Sequence, residues 1–147
     1  MEIINEELIL VDENLHEKED VIQKVAELLF NNGRISDITK FKNDVFKRET
    51  EMSTSMGLGI AIPHAQSDYV KQSSLVFIKL KEPICWNDDD NVKIIFGIAV
   101  PKKDKNNQHL KILSTLARSL MKESFRNKLY SSHNEKEVLD VLKLVEI

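Results

Sequence analysis

One cysteine, three prolines, four glycines and a single tryptophan in 147 residues deny several protein classes their raw material. A lone Cys85 forms no intramolecular disulfide and no four-cysteine zinc site, a pattern that suits a reducing cytosol. So little glycine and proline excludes collagen-like and linker-dominated chains. The longest apolar runs, such as Ile94 to Val100, fall far short of the roughly 20 residues needed to span a bilayer. The opening Met1-Glu2-Ile3-Ile4-Asn5-Glu6-Glu7 is acidic, the reverse of the positive start of a signal peptide. Net charge is −3, and no basic stripe interleaves with aromatics, so nucleic acid is a poor partner. No segment is low in complexity and no internal repeat is visible.

What is present suits a globular chain: 41% hydrophobic and 31% charged residues. Residues 1–147 are expected to form a single domain, which at this size buries roughly 70% of its unfolded surface. Leu8-Ile9-Leu10-Val11 reads as a buried first strand. Val21, Ile22, Val25, Ala26, Leu28 and Leu29 recur at helical spacing, and Asn31-Asn32-Gly33 is a stop signal. Ser36 or Asp37 caps a second helix with Ile38, Phe41, Val45 and Phe46 on its apolar face, fraying near Arg48. Ser53 to Ala65 reads as short strands closing at Pro63, because proline cannot donate to a ladder.

Ser74 to Leu80 and Val92 to Val100 are strands with apolar residues on both faces. Lys102 to Gln108 is a polar loop. Leu110, Leu113, Leu116, Ala117, Leu120 and Met121 suggest the apolar face of a long helix. A last helix, about Asn134 to Leu144, follows a capping-box pattern from Ser132 to Glu135. Helices covering strands that are apolar on both faces predict an α/β fold: one compact mixed β-sheet flanked by helices on both faces.

Standard catalytic motifs are missing. Gly57-Leu58-Gly59-Ile60-Ala61-Ile62 begins like a dinucleotide fingerprint, but Ile62 stands where the third glycine or alanine belongs. There is no Walker A lysine, His-Glu-x-x-His, EF-hand loop or serine-hydrolase elbow. What remains is His64, after Pro63 and before the small Ala65. Proline fixes φ and presents the next side chain rigidly, and a neutral imidazole is a competent nucleophile toward a phosphoryl group. The plainer reading is a turn histidine with a structural hydrogen bond.

Around His64 stand a cation, Arg48, expected at a helix C-terminus, and glycines at 57 and 59 that let backbone N–H groups approach phosphate oxygens. A second histidine, His109, opens the long helix, where a phosphate would feel the positive helix end. Taken singly, Arg48 and His109 are equally at home as surface residues.

Together these residues resemble the enzyme IIA domain of the fructose/mannitol class of the bacterial phosphoenolpyruvate:sugar phosphotransferase system. The signature runs from Glu49 through Met56-Gly57 and Ile60-Ala61-Ile62 to Pro63-His64-Ala65, and every position is met. His109-Leu110, Leu113-Ser114 and Leu116-Ala117-Arg118 are similar to the family's second-histidine helix. Ser55 departs from the glycine that many relatives carry there.

The resemblance implies a freestanding cytoplasmic phosphotransferase subunit in which His64 takes a phosphoryl group from the phosphocarrier HPr on Nε2. It would then pass the group to a cysteine of a cognate IIB domain, and through it serve a membrane IIC component. Arg48 and His109 would stabilise charge on the phosphoryl oxygens and orient the phosphohistidine. No cofactor or metal is implied, and the site is expected to be shallow and ringed by apolar residues. Pro83-Ile84-x-Trp86 and Leu116-Ala117-Arg118 lean toward the fructose type. The alternative is a regulatory IIA-like module, nitrogen-type or from a sugar-operon regulator, that uses phospho-His64 as a signal. A zinc hydrolase built on His64 and His109 would need a further ligand, and no carboxylate stands at ligand spacing.

Other residues read more simply. Cys85 is a packing or strand-end residue, and His16 and His133 are surface or capping residues near helix starts. Asp88-Asp89-Asp90 is a solvated loop without calcium-ligand spacing. Lys102-Lys103-Asp104-Lys105 is a solvated charge run which, near His109, could also help dock an acidic partner face.

Overall fold

The computed structural model describes residues 3–88, 90–104 and 107–145. After a 3₁₀ turn at Glu6–Leu8, strand β1 (Ile9–Glu13) leads into helices α1 (Lys18–Asn31) and α2 (Ile38–Glu51). Three short strands follow: β2 (Ser55–Gly57), β3 (Ile60–Ala61) and β4 (His64–Ser67). Two long ones, β5 (Ser74–Asn87) and β6 (Asp90–Pro101), precede helices α3 (Gln108–Leu120), α4 (Glu123–Ser131) and α5 (Glu135–Leu142).

The strands form one mixed six-stranded sheet in the order β1-β5-β6-β3-β2. β1 runs parallel to β5, β5 antiparallel to β6, and β2 antiparallel to β3. β3 and β4 both pair with β6 in parallel, Ile60 opposite Ile94 and His64 opposite Ile98. The segment from β3 to β4 thus travels up one edge of β6, interrupted at Ile62-Pro63 because proline has no N–H to give the ladder. Pro63 instead contributes its carbonyl, which accepts from the Ile98 N–H at 3.0 Å.

Alternation along β5 and β6 builds two cores. Val76, Ile78, Leu80, Val92, Ile95 and Ala99 meet α1 and α2 on one face. Leu75, Phe77, Ile94, Phe96 and Ile98 meet α3, α4 and α5 on the other. Two buried faces explain why these strands are near-continuous apolar runs. Gly97 lets α1 settle close to the sheet, since a Cβ there would lie 2.7 Å from Val25 Cγ1.

The α/β fold with helices on both faces of one mixed sheet agrees with the sequence reading, and local details depart from it. α2 does not fray near Arg48 but runs to Glu51, with Asp37 accepting from the Lys40 N–H at its start. The apolar face of α3 is rotated from the one expected: Ile112, Leu116 and Leu120 are buried, whereas Leu110 is 60% and Met121 70% exposed. α5 is capped two residues later than expected, by Asn134, whose side chain accepts from the Glu137 N–H. Glu137 in turn accepts from the His133 N–H.

Cys85 is exposed rather than packed, close to the end of β5, with its thiol donating to the Asn87 carbonyl. His16 and His133 are exposed, as expected. Asp88 is exposed and Asp90 begins β6, while Asp89 lies outside the described residues, as does Lys105. Among the described residues, no helix is long and apolar enough to cross a membrane.

Candidate functional site

His64 opens β4 and is 6% exposed. Its Nδ1 lies 2.7 Å from the carbonyl oxygen of Ile62. A carbonyl only accepts, so Nδ1 carries the proton, and the neutral ring keeps its lone pair on Nε2. Nε2 makes no hydrogen bond to a described residue. Burial holds the His64 pKa below the ordinary 6.5; the Ile62 bond and Glu49 oppose that shift, while Arg48 adds to it. The free imidazole at neutral pH is therefore uncharged and nucleophilic.

The second histidine is the second residue of α3. The His64 and His109 rings stand 5.2 Å apart between centroids, tilted by 41°. His109 Nε2 is buried and has no hydrogen-bond partner among the described residues. Its pKa too is pushed down, first by burial and then by His64 and Arg48, with Asp104 pulling the other way. A buried ring nitrogen left unpaired costs about 1–3 kcal/mol, and an incoming polar group would recover that cost.

A groove of about 240 Å³ opens over the two rings, lined by Asp44, Lys47, Arg48, Glu51, His64, Gln66, Lys102 and His109, with Ala65 as its apolar member. Arg48 lies in the last turn of α2, and its Nη1 donates to the Met52 carbonyl at 2.9 Å, which steadies the guanidinium at the groove wall. The structure thus brings His64, Arg48 and His109 to one place, as the sequence suggested. The wall is charged, however, and not the apolar ring expected. Three cations against two carboxylates favour an anion with polar neighbours.

Two further expectations are corrected. The N-terminus of α3 is already occupied: Asp104 accepts from the backbone N–H groups of Gln108 at 2.7 Å and His109 at 2.8 Å. An anion in the groove therefore meets side chains and not the positive end of that helix. Gly57 and Gly59 form the turn between β2 and β3, where the Gly59 carbonyl accepts from Lys93 and Ile94. That is four residues along β6 from the His64 register, about 13 Å away. The glycines shape the hairpin and do not line the groove.

Asp44, Lys47 and Glu51 were missed by sequence reasoning. Their signal is the spacing around Arg48, which places residues 44, 47, 48 and 51 on one stripe of α2. Asp44 also ties that helix to the sheet, accepting from the Ser67 hydroxyl at 2.6 Å. Lys102 does reach the groove, whereas Lys103 is exposed outside it. Among the described residues, no cluster of three or more His, Cys, Asp or Glu side chains is arranged to hold a metal ion.

Comparison with known proteins adds a second line of observation. Residues 2–145 match the family described as phosphoenolpyruvate-dependent sugar phosphotransferase system, EIIA 2. The chain is 38% identical over 138 residues to the fructose-specific EIIA component of Haloferax volcanii, covering 92% of this chain and 89% of that protein. It is 32% identical over 148 residues to the mannitol-specific enzyme IIA component of Geobacillus stearothermophilus, covering 99% and 98%. The crystal structure of the nitrogen regulatory protein IIA-Ntr from Neisseria meningitidis superposes with a TM-score of 0.87 at 30% identity, covering 95% of this chain and 96% of that one. Against the multiphosphoryl transfer proteins of Escherichia coli, which it also resembles, the chain spans only 16–17% of their length.

Proposed function

This chain belongs to the EIIA 2 family of the phosphoenolpyruvate-dependent sugar phosphotransferase system, a phosphoryl-transfer component of the fructose/mannitol class, and from that premise we propose that His64 is its phosphoryl acceptor. The observation that carries this reading is the pairing of Nδ1 with the Ile62 carbonyl, which leaves Nε2 as the nucleophile beside Arg48 and His109. Phospho-HPr is the donor. The Nε2 lone pair attacks phosphorus as the bond to the donor atom breaks, and the new N–P bond leaves the ring proton on Nδ1. A thiolate of a IIB cysteine then attacks phosphorus, a P–S bond forms, and the N–P electron pair returns to Nε2. The IIB component hands the group onward to sugar moved by a membrane IIC partner.

Arg48 and Nε2 of His109 supply charge and a hydrogen bond to the phosphoryl oxygens. Transfer of this kind needs positioning and charge stabilisation more than covalent machinery. Residues 1–147 act as one phosphotransfer domain, working in the cytoplasm without cofactor or metal. The similarity to the Haloferax fructose-specific component supports fructose over mannitol.

A regulatory role is the second reading, favoured by the close superposition with the nitrogen regulatory IIA protein. In that case phospho-His64 is a signal and no IIB accepts the group. Incubation with phosphoenolpyruvate, enzyme I and HPr, followed by intact mass and site mapping, tests the shared step. One acid-labile phosphate on His64 is expected, and none on well-folded protein would overturn the assignment. Discharge by a IIB domain then separates transport from regulation.

A further inference from the structure

The last turn of α2 holds a residue out of place. Glu49 is a carboxylate near the negative end of a helix, where its charge is unwelcome, and its side chain is only 3% exposed. An apolar residue would fill the same space without desolvating a charge. Two groups offset the cost. Lys18, the first residue of α1, places Nζ 3.0 Å from Glu49 Oε2 while lying over the Trp86 ring, 5.1 Å from its centroid. Thr54 gives the carboxylate both its backbone N–H, at 3.3 Å, and its hydroxyl.

The bonds do not stop at Thr54. Its carbonyl accepts from the Ile62 N–H at 3.0 Å, and the Ile62 carbonyl accepts from His64 Nδ1 at 2.7 Å. Pro63 restricts Ile62 to extended backbone. Ile62 is therefore gripped on its amide side by Thr54 and on its carbonyl side by proline, so its oxygen has one direction in which to point. Arg48 faces the groove while its neighbour Glu49 turns inward, so one turn of α2 serves both.

We infer that Glu49 and Thr54 are positioning residues that act through Ile62 to choose the protonated nitrogen of His64. The inference rests on the reading of His64 as the phosphoryl acceptor. Which ring nitrogen of a histidine is protonated follows from the hydrogen bond made by the other. With the Ile62 carbonyl in place, the proton sits on Nδ1 and Nε2 attacks. Were Ile62 to swing away, the proton could pass to Nε2 and the nucleophile would point into the protein. Lys18 neutralises Glu49, so the carboxylate can serve this purpose without repelling phosphoryl oxygens nearby.

The test is a two-bond ¹H–¹⁵N spectrum of the full chain labelled at histidine, recorded with all imidazoles neutral, alongside the rate of phosphoryl uptake from phospho-HPr. In the parent chain His64 is expected as a single Nδ1–H tautomer. Glu49→Ala is expected to populate the Nε2–H tautomer and to slow uptake on the order of tenfold. Glu49→Gln, which keeps an acceptor for Thr54, should restore most of both.

If Glu49→Ala does not fold, Thr54→Val decides, since it removes only the hydroxyl and is expected to shift the tautomer in the same direction. An unchanged tautomer in the folded variants overturns the inference, even where stability has dropped. A changed tautomer with an unaltered rate overturns it as well. If the parent chain takes up no phosphate while its tautomer still responds to Glu49, the acceptor assignment fails and the positioning path stands.

Discussion

The imidazoles of His64 and His109 lie 5.2 Å apart, both uncharged at neutral pH, one tied through Nδ1 and the other with a buried Nε2 bonded to no described residue. In the proposed mechanism one ring attacks phosphorus and the other receives a phosphoryl oxygen. A buried ring nitrogen without a partner costs stability, and a hydrogen bond to a phosphoryl oxygen would offset that cost.

Removing the two rings should therefore have different consequences. His64→Ala is expected to abolish uptake of phosphate from phospho-HPr, and full labelling of that variant would remove His64 from the mechanism. His109→Ala should leave stability within about 1 kcal/mol of the parent, because the lost nitrogen has no partner among the described residues. Its rate of uptake is expected to fall by roughly 10²-fold. Rapid-quench phosphorylation and urea unfolding on the same preparations check both statements.

Proton linkage has a defined sign. Both folded-state pKa values lie below the ordinary 6.5, chiefly through burial. As pH falls through 6.5 the unfolded chain binds protons before the folded one does, so stability is full above that value and declines below it. Arg48 deepens the effect at both rings, while Glu49 at His64 and Asp104 at His109 moderate it. Urea midpoints measured from about pH 8 down to about pH 5 should fall, and the double variant His64→Gln/His109→Gln should show a shallower decline.

Phosphorylation should reverse the balance at His109. A phosphoryl group on Nε2 of His64 places negative charge beside that ring and favours its protonated form. The His109 titration midpoint, followed by ¹⁵N shifts, is expected to rise once His64 is phosphorylated. An unmoved midpoint would place the phosphoryl group away from His109.

On the sheet face covered by α3, α4 and α5, Lys79 reaches from β5 to the end of α4, donating to the carbonyls of Tyr130 at 2.6 Å and Ser132 at 2.7 Å. The cation satisfies acceptors at the negative end of the helix. Lys79→Met would leave them unpaired and is expected to destabilise the fold by about 2–3 kcal/mol, read from urea unfolding. Phosphate uptake per folded molecule should not change.

Gly97→Ala should be costly because the added methyl would meet Val25 at 2.7 Å. A loss of about 1–3 kcal/mol is expected, the usual range for overpacking. Pairing it with Val25→Ala should cost less than the sum of the two single changes, and strict additivity in a double-mutant cycle would refute the clash.

The sequence by itself determined most of the elements and the layering, and it singled out His64 as the candidate residue. Apolar residues on both faces of 74–80 and 92–100 demand cover on two sides, and α1 and α2 announce themselves by 3.6-residue spacing and by Gly33 and Asp37 at their ends. Pro63-His64 is legible for the same reason, since proline acts on its immediate neighbours. Periodicity was weaker for α3, where Leu110 and Met121 fit an apolar stripe and yet face outward.

Only the tertiary structure decided which distant residues meet. The parallel pairing of β4 with β6 carries His64 to the end of the strand from which the chain departs toward His109, and it leaves Gly57 and Gly59 about 13 Å behind. Asp104, read as part of a charge run, proves to cap α3. Asp44, Lys47 and Glu51 look in sequence like any solvated helix face, because a polar stripe lining a groove has the same spacing as one facing water. The path from Glu49 through Thr54 and Ile62 to His64 lies wholly in this second category. It is made by a hairpin folding back on a helix end, and local periodicity carries no record of where a hairpin returns.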